Sequence, residues 1–447
     1  MFKKFKIKTF GCQMNIYDSQ KISDIFYKIG FKNTLSDEDA DIYVINTCHI
    51  RNKAKQKLYS ELGKIYKIKK NRYENKKKTI LIVAGCVAQA EGKEIFKRAP
   101  YVDIIVGSQS YQKIPKLLKK INKKAEEKVF VELDFEPKSK FDELPKDKFT
   151  NEISSYLTIQ EGCNKFCKFC VVPYTRGPEY SRSVEEIVDE AKSLVNKGTK
   201  EIILLGQNVN AYHGLDLNNR NSNLGKLIYT LDKIKGLKRI RYMTPHPKDM
   251  HDDLYSAHKD LEKLMPFLHL PVQSGSDKIL KEMNRNYTSN EYLEIIDRVK
   301  DCRRDMVFSS DFIVGYPGET KKDFENTLDI IDKVKYVQAF SFIYSPRPGT
   351  TAFNLKDNIS LDEKKERLIV LQKKLKFYQE SFNKNFVTKS LEVLFNNSFK
   401  EKEYQSLGYS QYMQLVRINN KINMHGKIEN LKIKKSFYKS LEASSVI

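Results

Sequence analysis

Short apolar segments alternate with amphipathic helical segments along most of this chain, and this alternation limits the folds it can adopt. In the first part, strand-like segments lie at residues 5–10, 41–47, 79–85 and 103–107, with helical patterns between them. Strands that alternate with helices usually pair in parallel through right-handed crossovers. Residues 1–120 are therefore predicted to form an α/β domain around a parallel sheet.

A second alternating series follows. Its strand-like segments lie at residues 156–160, 201–206, 239–243, 267–272, 308–315 and 337–344, and helical stretches separate most of them. Ser183 and Glu186 have the spacing of a capping box at the start of one such helix. The pattern predicts a partial (β/α)6 barrel over residues 151–385, an architecture that places its chemistry at the C-terminal ends of the strands.

Two regions depart from this alternation. Residues 121–150 are charged, contain Pro137 and Pro145, and lack periodicity, so they are predicted to be a linker. After a charged amphipathic helix at 361–385, residues 386–447 contain short strand-like runs without helices between them. This last segment is predicted to form a small all-β barrel.

Composition restricts the class of protein. The 447 residues contain no run of 18 apolar residues, which argues against a membrane-spanning helix. The first residues lack the pattern of a secretory signal, so a cytoplasmic protein without a membrane partner is expected. The net charge of +23 indicates a polyanionic partner, although enrichment in Lys, Asn and Ile through compositional drift would also produce it.

The strongest motif is the C-x-x-x-C-x-x-C spacing of Cys163, Cys167 and Cys170. Three thiolates on one loop after a strand suit a four-iron cluster and leave one iron open, and S-adenosylmethionine can chelate an open iron. A zinc site is the alternative, but zinc usually has four ligands from paired C-x-x-C knuckles, and a second knuckle is absent from the sequence.

A second set of cysteines is less obvious. Cys12, Cys48 and Cys86 each follow a predicted strand, in the segments TFGC, VINTC and VAGC. The carboxyl ends of parallel strands lie on one sheet edge, where ligands bind. The sequence therefore predicts a second cluster on these three thiolates, and the alternative is three unrelated buried thiols.

Polar residues and glycines follow three strands of the predicted barrel. Such positions at strand ends suit the polar parts or the adenosine of a ligand, although each motif would also occur in an ordinary turn. The candidate cofactor-binding residues are Gln207, Asn208, Gln273, Ser274, Gly315, Gly318 and Glu319.

Eight segments together carry a resemblance to a known family. They are FGCQMNIYDSQ, NTCHIRNKAKQK, AGCVAQAEG, CNKFCKFCVVPYTRGPEYSR, LLGQNVNAY, HLPVQSGSDKIL, SDFIVGYPGET and FSFIYSPRPGT. The chain resembles the radical S-adenosylmethionine methylthiotransferases, most closely the tRNA-2-methylthio-N6-dimethylallyladenosine synthases. The resemblance implies an N-terminal methylthiotransferase domain, a radical domain and a C-terminal TRAM barrel that binds RNA.

The resemblance also implies a reaction. Cys163, Cys167 and Cys170 would be the catalytic set, holding a [4Fe-4S] cluster that cleaves S-adenosylmethionine reductively. Cys12, Cys48 and Cys86 would hold a second [4Fe-4S] cluster that serves sulfur insertion, and a second S-adenosylmethionine would supply the methyl group. The implied substrate is isopentenylated adenosine at position 37 of tRNA, beside the anticodon. The implied partners are the tRNA anticodon arm and a flavodoxin- or ferredoxin-like electron donor, with the enzyme a monomer.

Two alternatives stay open at this point. One is the same chemistry on a threonylcarbamoyl-adenosine tRNA or a ribosomal-protein aspartate, although the segment GCQMN favours the isopentenyl branch. The other is a non-catalytic RNA-binding protein with structural metal, although structural sites normally have four ligands and both cysteine sets have three.

Overall fold

The computed structural model describes residues 4–49, 52–123, 130–134, 137–145, 151–396, 405–419 and 422–444. The chain divides into two compact units. The first unit contains the described residues within 1–150, together with 160–164 and 170–182. The second contains those within 151–159, 165–169 and 183–447. Among the described residues, no helix combines the length and the apolar character needed to cross a membrane.

Strands and helices are numbered in chain order. The strands are β1 (Lys4–Phe10), β2 (Lys32–Asn33), β3 (Ile42–Thr47), β4 (Ile80–Ala84), β5 (Ile104–Val106), β6 (Phe130–Glu132), β7 (Ser154–Thr158), β8 (Gln160–Glu161), β9 (Tyr180–Ser181), β10 (Glu201–Leu205), β11 (Arg239–Tyr242), β12 (Phe267–His269), β13 (Val307–Val314), β14 (Gln338–Ile343), β15 (Ser390–Leu394), β16 (Gln405–Ser410), β17 (Leu415–Asn419), β18 (Ile428–Ser436) and β19 (Ser440–Ala443). The α-helices are α1 (Gln13–Lys28), α2 (Asn52–Glu74), α3 (Cys86–Glu91), α4 (Lys93–Arg98), α5 (Ile114–Lys123), α6 (Pro137–Glu143), α7 (Val172–Arg176), α8 (Val184–Asn196), α9 (Leu224–Asp232), α10 (Asp252–Asp260), α11 (Asp277–Glu282), α12 (Ser289–Cys302), α13 (Lys321–Val334) and α14 (Leu361–Lys384).

The first unit is built on a parallel sheet with helices on both faces. Its six strands lie in the order β2-β1-β3-β4-β5-β6. All six residues of β3 are buried because this strand is central and covered on both sides. Val44 packs in the apolar cluster on one face, and Tyr43 and Ile45 pack in the cluster on the other. The parallel α/β fold predicted for this part of the chain is confirmed.

The segment predicted as a linker is partly structured. Residues 130–132 form β6, which pairs in parallel with β5 at the edge of the sheet, and residues 137–143 form α6. A three-residue strand is too short to show a period of two, and the surrounding charges hid it in the sequence. One of those charges, Lys140, is fully buried in an ion pair with Glu161.

The second unit contains the predicted partial barrel. Its six parallel strands form two sheets, β7-β10-β11 and β12-β13-β14, and a parallel bridge between Ile240 and Leu264 continues from β11 toward β12. Helices cover the outer face of these strands and share one apolar core with them. Ser183 and Glu186 form the predicted capping box at the start of α8.

The C-terminal strands form a closed five-stranded barrel in the order β15-β16-β17-β19-β18. Leu391, Val416 and Leu441 belong to its buried interior. The prediction of a small all-β barrel is therefore confirmed. Helix α14, predicted at 361–385, leads into it from the partial barrel.

Two buried arginines of β11 attach this barrel to the partial barrel. Arg239 donates to the backbone oxygens of Tyr409 and Glu392 at 2.9 and 3.2 Å. Arg241 donates to the backbone oxygens of Ser410 and Gln411. Arg241 also forms a buried ion pair with Glu201 at 2.8 Å. Hydrogen bonds from two buried charged side chains therefore contribute to the contact between the two parts of this unit.

Replacing Arg241 with Met should lower the free energy of unfolding by about 3–5 kcal/mol, because it leaves the Glu201 carboxylate buried without its ion pair. Urea unfolding measures the change. Arg298→Met is the matched control, because Arg298 pairs with Asp252 at the exposed surface and should cost at most about 1 kcal/mol. Equal losses in the two variants would contradict the role given to Arg241.

Candidate functional site

Three cysteines of the first unit follow neighbouring parallel strands. Cys12 comes two residues after the end of β1, Cys48 directly follows β3, and Cys86 begins α3 after β4. Strands β1, β3 and β4 are adjacent in the sheet. The structure therefore brings the three thiols of this set to one sheet edge.

The thiols of Cys12 and Cys48 interact directly. A hydrogen bond with Cys48, opposed by burial and assisted by the positive charge of Arg176, lowers the pKa of the Cys12 thiol to about 6. Cys12 occupies the N-cap position of α1, without a side-chain capping hydrogen bond, and as a thiol it donates to the Asn15 side-chain oxygen at 3.2 Å. The lowered pKa and the place at a helix N-terminus favour a thiolate at Cys12, the form that binds metals.

Cys86 is almost completely buried, and an arginine donates to its sulfur. Burial raises the pKa of the Cys86 thiol, and the charge of Arg176 opposes that shift. The Nε atom of Arg176 lies 3.2 Å from Cys86 Sγ. One guanidinium therefore acts electrostatically on both Cys12 and Cys86.

Arg176 belongs to a buried charged cluster, which we call the Arg176 cluster and define as Arg176, Asp18, Glu161 and Lys140. Arg176 pairs with Asp18 at 2.6 Å and with Glu161 at 3.3 Å. Lys140 pairs with the same two carboxylates at 3.4 and 2.6 Å. Sequence reasoning missed Arg176, and the only available signal was its position in VVPYTRG, directly after the cysteine motif.

Glycine at position 11 is required by the close approach of Cys48. Gly11 has a φ of +131°, and a Cβ atom there would lie 2.3 Å from the Cβ atom of Cys48. The turn at Gly11 thereby lets the end of β1 approach the end of β3. Among the described residues, no group of three His, Cys, Asp or Glu side chains is arranged around a single metal ion. A four-iron cluster binds its thiolates on different irons, so it requires a wider arrangement.

Cys163, Cys167 and Cys170, the cysteines of the C-x-x-x-C-x-x-C motif, lie on the loop between β8 and α7. The backbone N–H of Cys163 donates to Gly177 in the first unit at 3.2 Å. In the second unit, Cys167 is nearly buried, and its Sγ accepts a long hydrogen bond of 3.5 Å from Arg285. Arg285 is held by the Pro271 oxygen at 2.8 Å. Cys170 lies just before α7 and is half-buried.

The predicted polar residues after β10 differ in environment. Gln207 is half-buried, whereas Asn208 is buried and donates to Asp249 at 2.8 Å. Asp249 in turn pairs with Lys165, which lies between Cys163 and Cys167, at 2.7 Å. The Asn208 amide therefore supports a lysine of the cysteine loop.

Gln273 and Ser274, which follow β12, bond to neighbouring parts of the fold. Gln273 has a φ of +74°, and its N–H and C=O bond to Asp311 and Ile313 of β13. Ser274 is fully buried, and its hydroxyl lies 3.3 Å from that of Thr327. The Ser274 hydroxyl thus has its partner, Thr327, in the interior of the second unit.

In the loop after β13, Glu319 bonds both to the backbone of the loop and to Arg367. Glu319 accepts from the N–H of Gly315 at 2.8 Å and forms a buried ion pair with Arg367 at 2.5 Å. Burial raises the pKa of Glu319, and the hydrogen bond from Gly315 and the ion pair with Arg367 oppose this shift. Gly318 has a φ of +83°, and its carbonyl accepts from Lys278. The Glu319 side chain therefore shapes this loop.

Gly11→Ala should destabilise the first unit, because the new methyl group would overlap Cys48 at a backbone angle that side chains rarely adopt. Gly30→Ala is the control, because Gly30 has a φ of +87° and no atom within 4 Å of an added Cβ. Thermal unfolding should show a loss larger by roughly 1–3 kcal/mol in Gly11→Ala. Similar losses in both variants would mean that Cys48 moves away at no cost.

Comparison with known proteins identifies the family. A radical SAM superfamily model matches residues 157–331, and a model described as an uncharacterized protein family, UPF0004, matches residues 4–107. Among solved structures, the cobalamin-dependent S-adenosylmethionine radical enzyme OxsB is similar with a TM-score of 0.56, at 13% identity, over 84% of this chain and 56% of that one. The radical S-adenosylmethionine methyltransferase TsrM from Kitasatospora setae is similar with a TM-score of 0.57, at 11% identity, over 79% and 77%. Likeness at this identity concerns the fold alone.

Curated relatives match the whole chain. Proteins named tRNA-2-methylthio-N(6)-dimethylallyladenosine synthase are 52% identical in Rickettsia typhi and 51% identical in Rickettsia canadensis and Rickettsia prowazekii. Each match covers 443 residues, which is 99% of this chain and 99% of the relative. The chain therefore belongs to the tRNA-2-methylthio-N(6)-dimethylallyladenosine synthase family of radical SAM proteins.

Proposed function

We propose that this chain is a tRNA methylthiotransferase. It places a methylthio group on carbon 2 of N6-isopentenyl-adenosine at tRNA position 37, next to the anticodon. The observation that carries the proposal is the meeting of Cys12, Cys48 and Cys86 at one sheet edge, in a chain that also has a C-x-x-x-C-x-x-C loop. The names of its full-length relatives support the same reaction.

We propose that Cys163, Cys167 and Cys170 hold the radical [4Fe-4S] cluster. Three thiols on one loop are the donor set that such a cluster takes when one iron is left for S-adenosylmethionine. When bound, the cluster supplies the electron for reductive cleavage of S-adenosylmethionine. The protein stabilises the position of this loop, because Arg285 donates to Cys167 and Lys165 forms an ion pair with Asp249.

We propose a second [4Fe-4S] cluster on Cys12, Cys48 and Cys86. These three thiols fit that group because they lie at one edge, Cys48 and Cys86 are buried, and a buried cation lies beside Cys86. Sulfur insertion would take place at this site, and each turnover would use two molecules of S-adenosylmethionine, one for the radical and one for the methyl group.

For S-adenosylmethionine itself, the proposed contacts lie at the strand ends of the partial barrel. Gln207 is proposed to contact the ligand through its side chain. Gly315 and Gly318 are proposed to let the backbone approach the ligand closely. Asn208, Gln273, Ser274 and Glu319 remain in the proposed binding region. Their observed bonds to Asp249, β13, Thr327 and Arg367 favour a supporting role there.

The proposed partner is the anticodon arm of tRNA. A net charge of +23 suits phosphate binding, and the segment from Ser381 to Ile447 contains 11 Lys and Arg against 5 Asp and Glu. A flavodoxin- or ferredoxin-like protein is proposed as the electron donor. The enzyme is proposed to act as a monomer in the cytoplasm.

Alanine substitution separates the roles of the two cysteine sets. Changing Cys163, Cys167 and Cys170 to Ala should leave about half of the iron and abolish S-adenosylmethionine cleavage, because each cluster depends on its own thiolates. Changing Cys12, Cys48 and Cys86 to Ala should preserve reductive cleavage but abolish methylthio transfer to isopentenylated tRNA. Iron and sulfide analysis with product mass spectrometry measures both.

The opposite results identify which part of the proposal fails. Cleavage that persists without Cys163, Cys167 and Cys170 would contradict the radical site. Transfer that persists without Cys12, Cys48 and Cys86 would contradict the second site. A deletion strain whose tRNA lacks a different methylthio nucleoside, or a ribosomal protein without its modified aspartate, would favour another substrate.

The exposed lysines of the C-terminal barrel test the proposed tRNA contact. Truncation would remove the partners of Arg239 and Arg241, so substitution in the full chain is the better test. Changing four exposed lysines of this barrel to Gln should weaken tRNA binding and flatten its salt dependence, by about 0.7–0.9 in log–log slope for each lysine that meets a phosphate. The four are Lys432, Lys434, Lys435 and Lys439.

A control with the same loss of charge removes four exposed lysines elsewhere in the second unit. These are Lys192, Lys259, Lys321 and Lys322. Filter binding or fluorescence anisotropy across a salt titration compares the two variants. If both lose affinity equally, the barrel lysines contribute only net charge and the barrel has no special role in tRNA binding.

A further inference from the structure

The guanidinium of Arg176 lies inside the first unit with only 2% of its side chain exposed. Its three nitrogens have three separate acceptors: Nε faces Cys86 Sγ at 3.2 Å, and the two terminal nitrogens face Asp18 and Glu161. A charge buried this completely is costly unless every donor is directed to an acceptor. One of those acceptors is a cysteine of the second set.

The backbone that carries Arg176 is fixed independently of its side chain. Gln109 donates to the carbonyl of Arg176 at 3.0 Å, and Ser108 donates to the carbonyl of Thr175 at 2.6 Å. Both hydrogen bonds are buried and connect α7 to the segment after β5. These two hydrogen bonds thus fix the backbone of α7 and keep Arg176 beside Cys86.

The carboxylates of the Arg176 cluster do not depend on Arg176 alone. Lys140 is fully buried and pairs with both Asp18 and Glu161. In addition, Tyr111 donates to Asp18 and Gln109 donates to Glu161. Neutralising two carboxylates would require no contact with sulfur, so the Nε–Sγ contact is an additional property of this arginine.

We propose that Arg176 is a positioning residue that donates to the Cys86 thiolate and sets the reduction potential of the second cluster. The inference rests on the proposed function, because it takes Cys12, Cys48 and Cys86 as the ligands of that cluster. Hydrogen bonds to cluster sulfurs and nearby positive charge stabilise the reduced cluster, which carries one more negative charge. Arg176 therefore raises the potential, and its loss lowers it.

The placement of Arg176 in sequence gives the proposal a second consequence. Arg176 lies six residues after Cys170, on the segment that follows the radical cysteine motif, whereas Cys86 begins α3 after strand β4. A second arginine, Arg285, donates to Cys167 of the other set. Each cysteine set therefore has its own buried guanidinium, so a change at Arg176 should affect the second cluster without altering the contact at Cys167.

The test uses the full chain with Cys163, Cys167 and Cys170 changed to Ala, so that only the second cluster remains. In this background, Arg176→Met, Arg176→Lys and Lys140→Met are compared by an EPR-monitored redox titration and by iron content. Arg176→Met should move the midpoint potential to a more negative value. Arg176→Lys keeps the charge but not the planar donor, so its midpoint should lie between those of Arg176→Met and the parent.

Lys140→Met is the matched control, because it removes a buried cation from the Arg176 cluster without removing a donor to the Cys86 sulfur. Its shift should be smaller than that of Arg176→Met. Equal shifts, or an unchanged potential in Arg176→Met, would overturn the proposal. If Arg176→Met does not retain iron, Arg176→Lys decides, and a midpoint equal to that of the parent overturns the proposal. A parent without any cluster would instead overturn the assignment of Cys12, Cys48 and Cys86, and the inference with it.

Discussion

Parallel pairing of β1, β3 and β4 is the constraint on which the candidate site depends. Phe10 is in register with Thr47, and Asn46 with Ala84, so the three strands end at nearly the same level. The turn residues Gly11 and Gly85 then allow the following cysteines to approach one another. Because successive side chains point to opposite faces of a sheet, a one-residue slip would exchange the two faces and bury the wrong residues.

Each of the two units contains its own buried charge pairs. In the first unit, Arg176 and Lys140 face Asp18 and Glu161, and in the second unit Arg241 faces Glu201. Such pairs are costly to desolvate and rarely add net stability, although breaking one is strongly destabilising. Their position beside the second cysteine set and beneath the C-terminal barrel indicates that they specify geometry. Because each of these buried cations has a carboxylate partner, a chain with a net charge of +23 can keep them in its interior.

Most of the architecture could be predicted from apolar periodicity. Several long elements were predicted to within a few residues; for example, the helix predicted at 361–385 runs from Leu361 to Lys384. Strands β2, β6, β8 and β9 have two or three residues, too few for a period to be visible. Arg176 could not be predicted because its partner Asp18 lies 158 positions away. Likewise, the sequence placed Glu319 at a strand end but could not show its ion pair with Arg367.

We propose that this single chain, with two three-cysteine sets, converts isopentenylated adenosine to its methylthio derivative. Anaerobic turnover tests it most directly. The reconstituted full chain is mixed with S-adenosylmethionine, a reductant and an isopentenylated anticodon stem-loop, and the digested nucleosides are analysed by mass spectrometry. We expect 2-methylthio-isopentenyladenosine from this substrate and none from the same stem-loop with unmodified adenosine. Reductive cleavage of S-adenosylmethionine without that product, in a protein that contains both clusters, would contradict it.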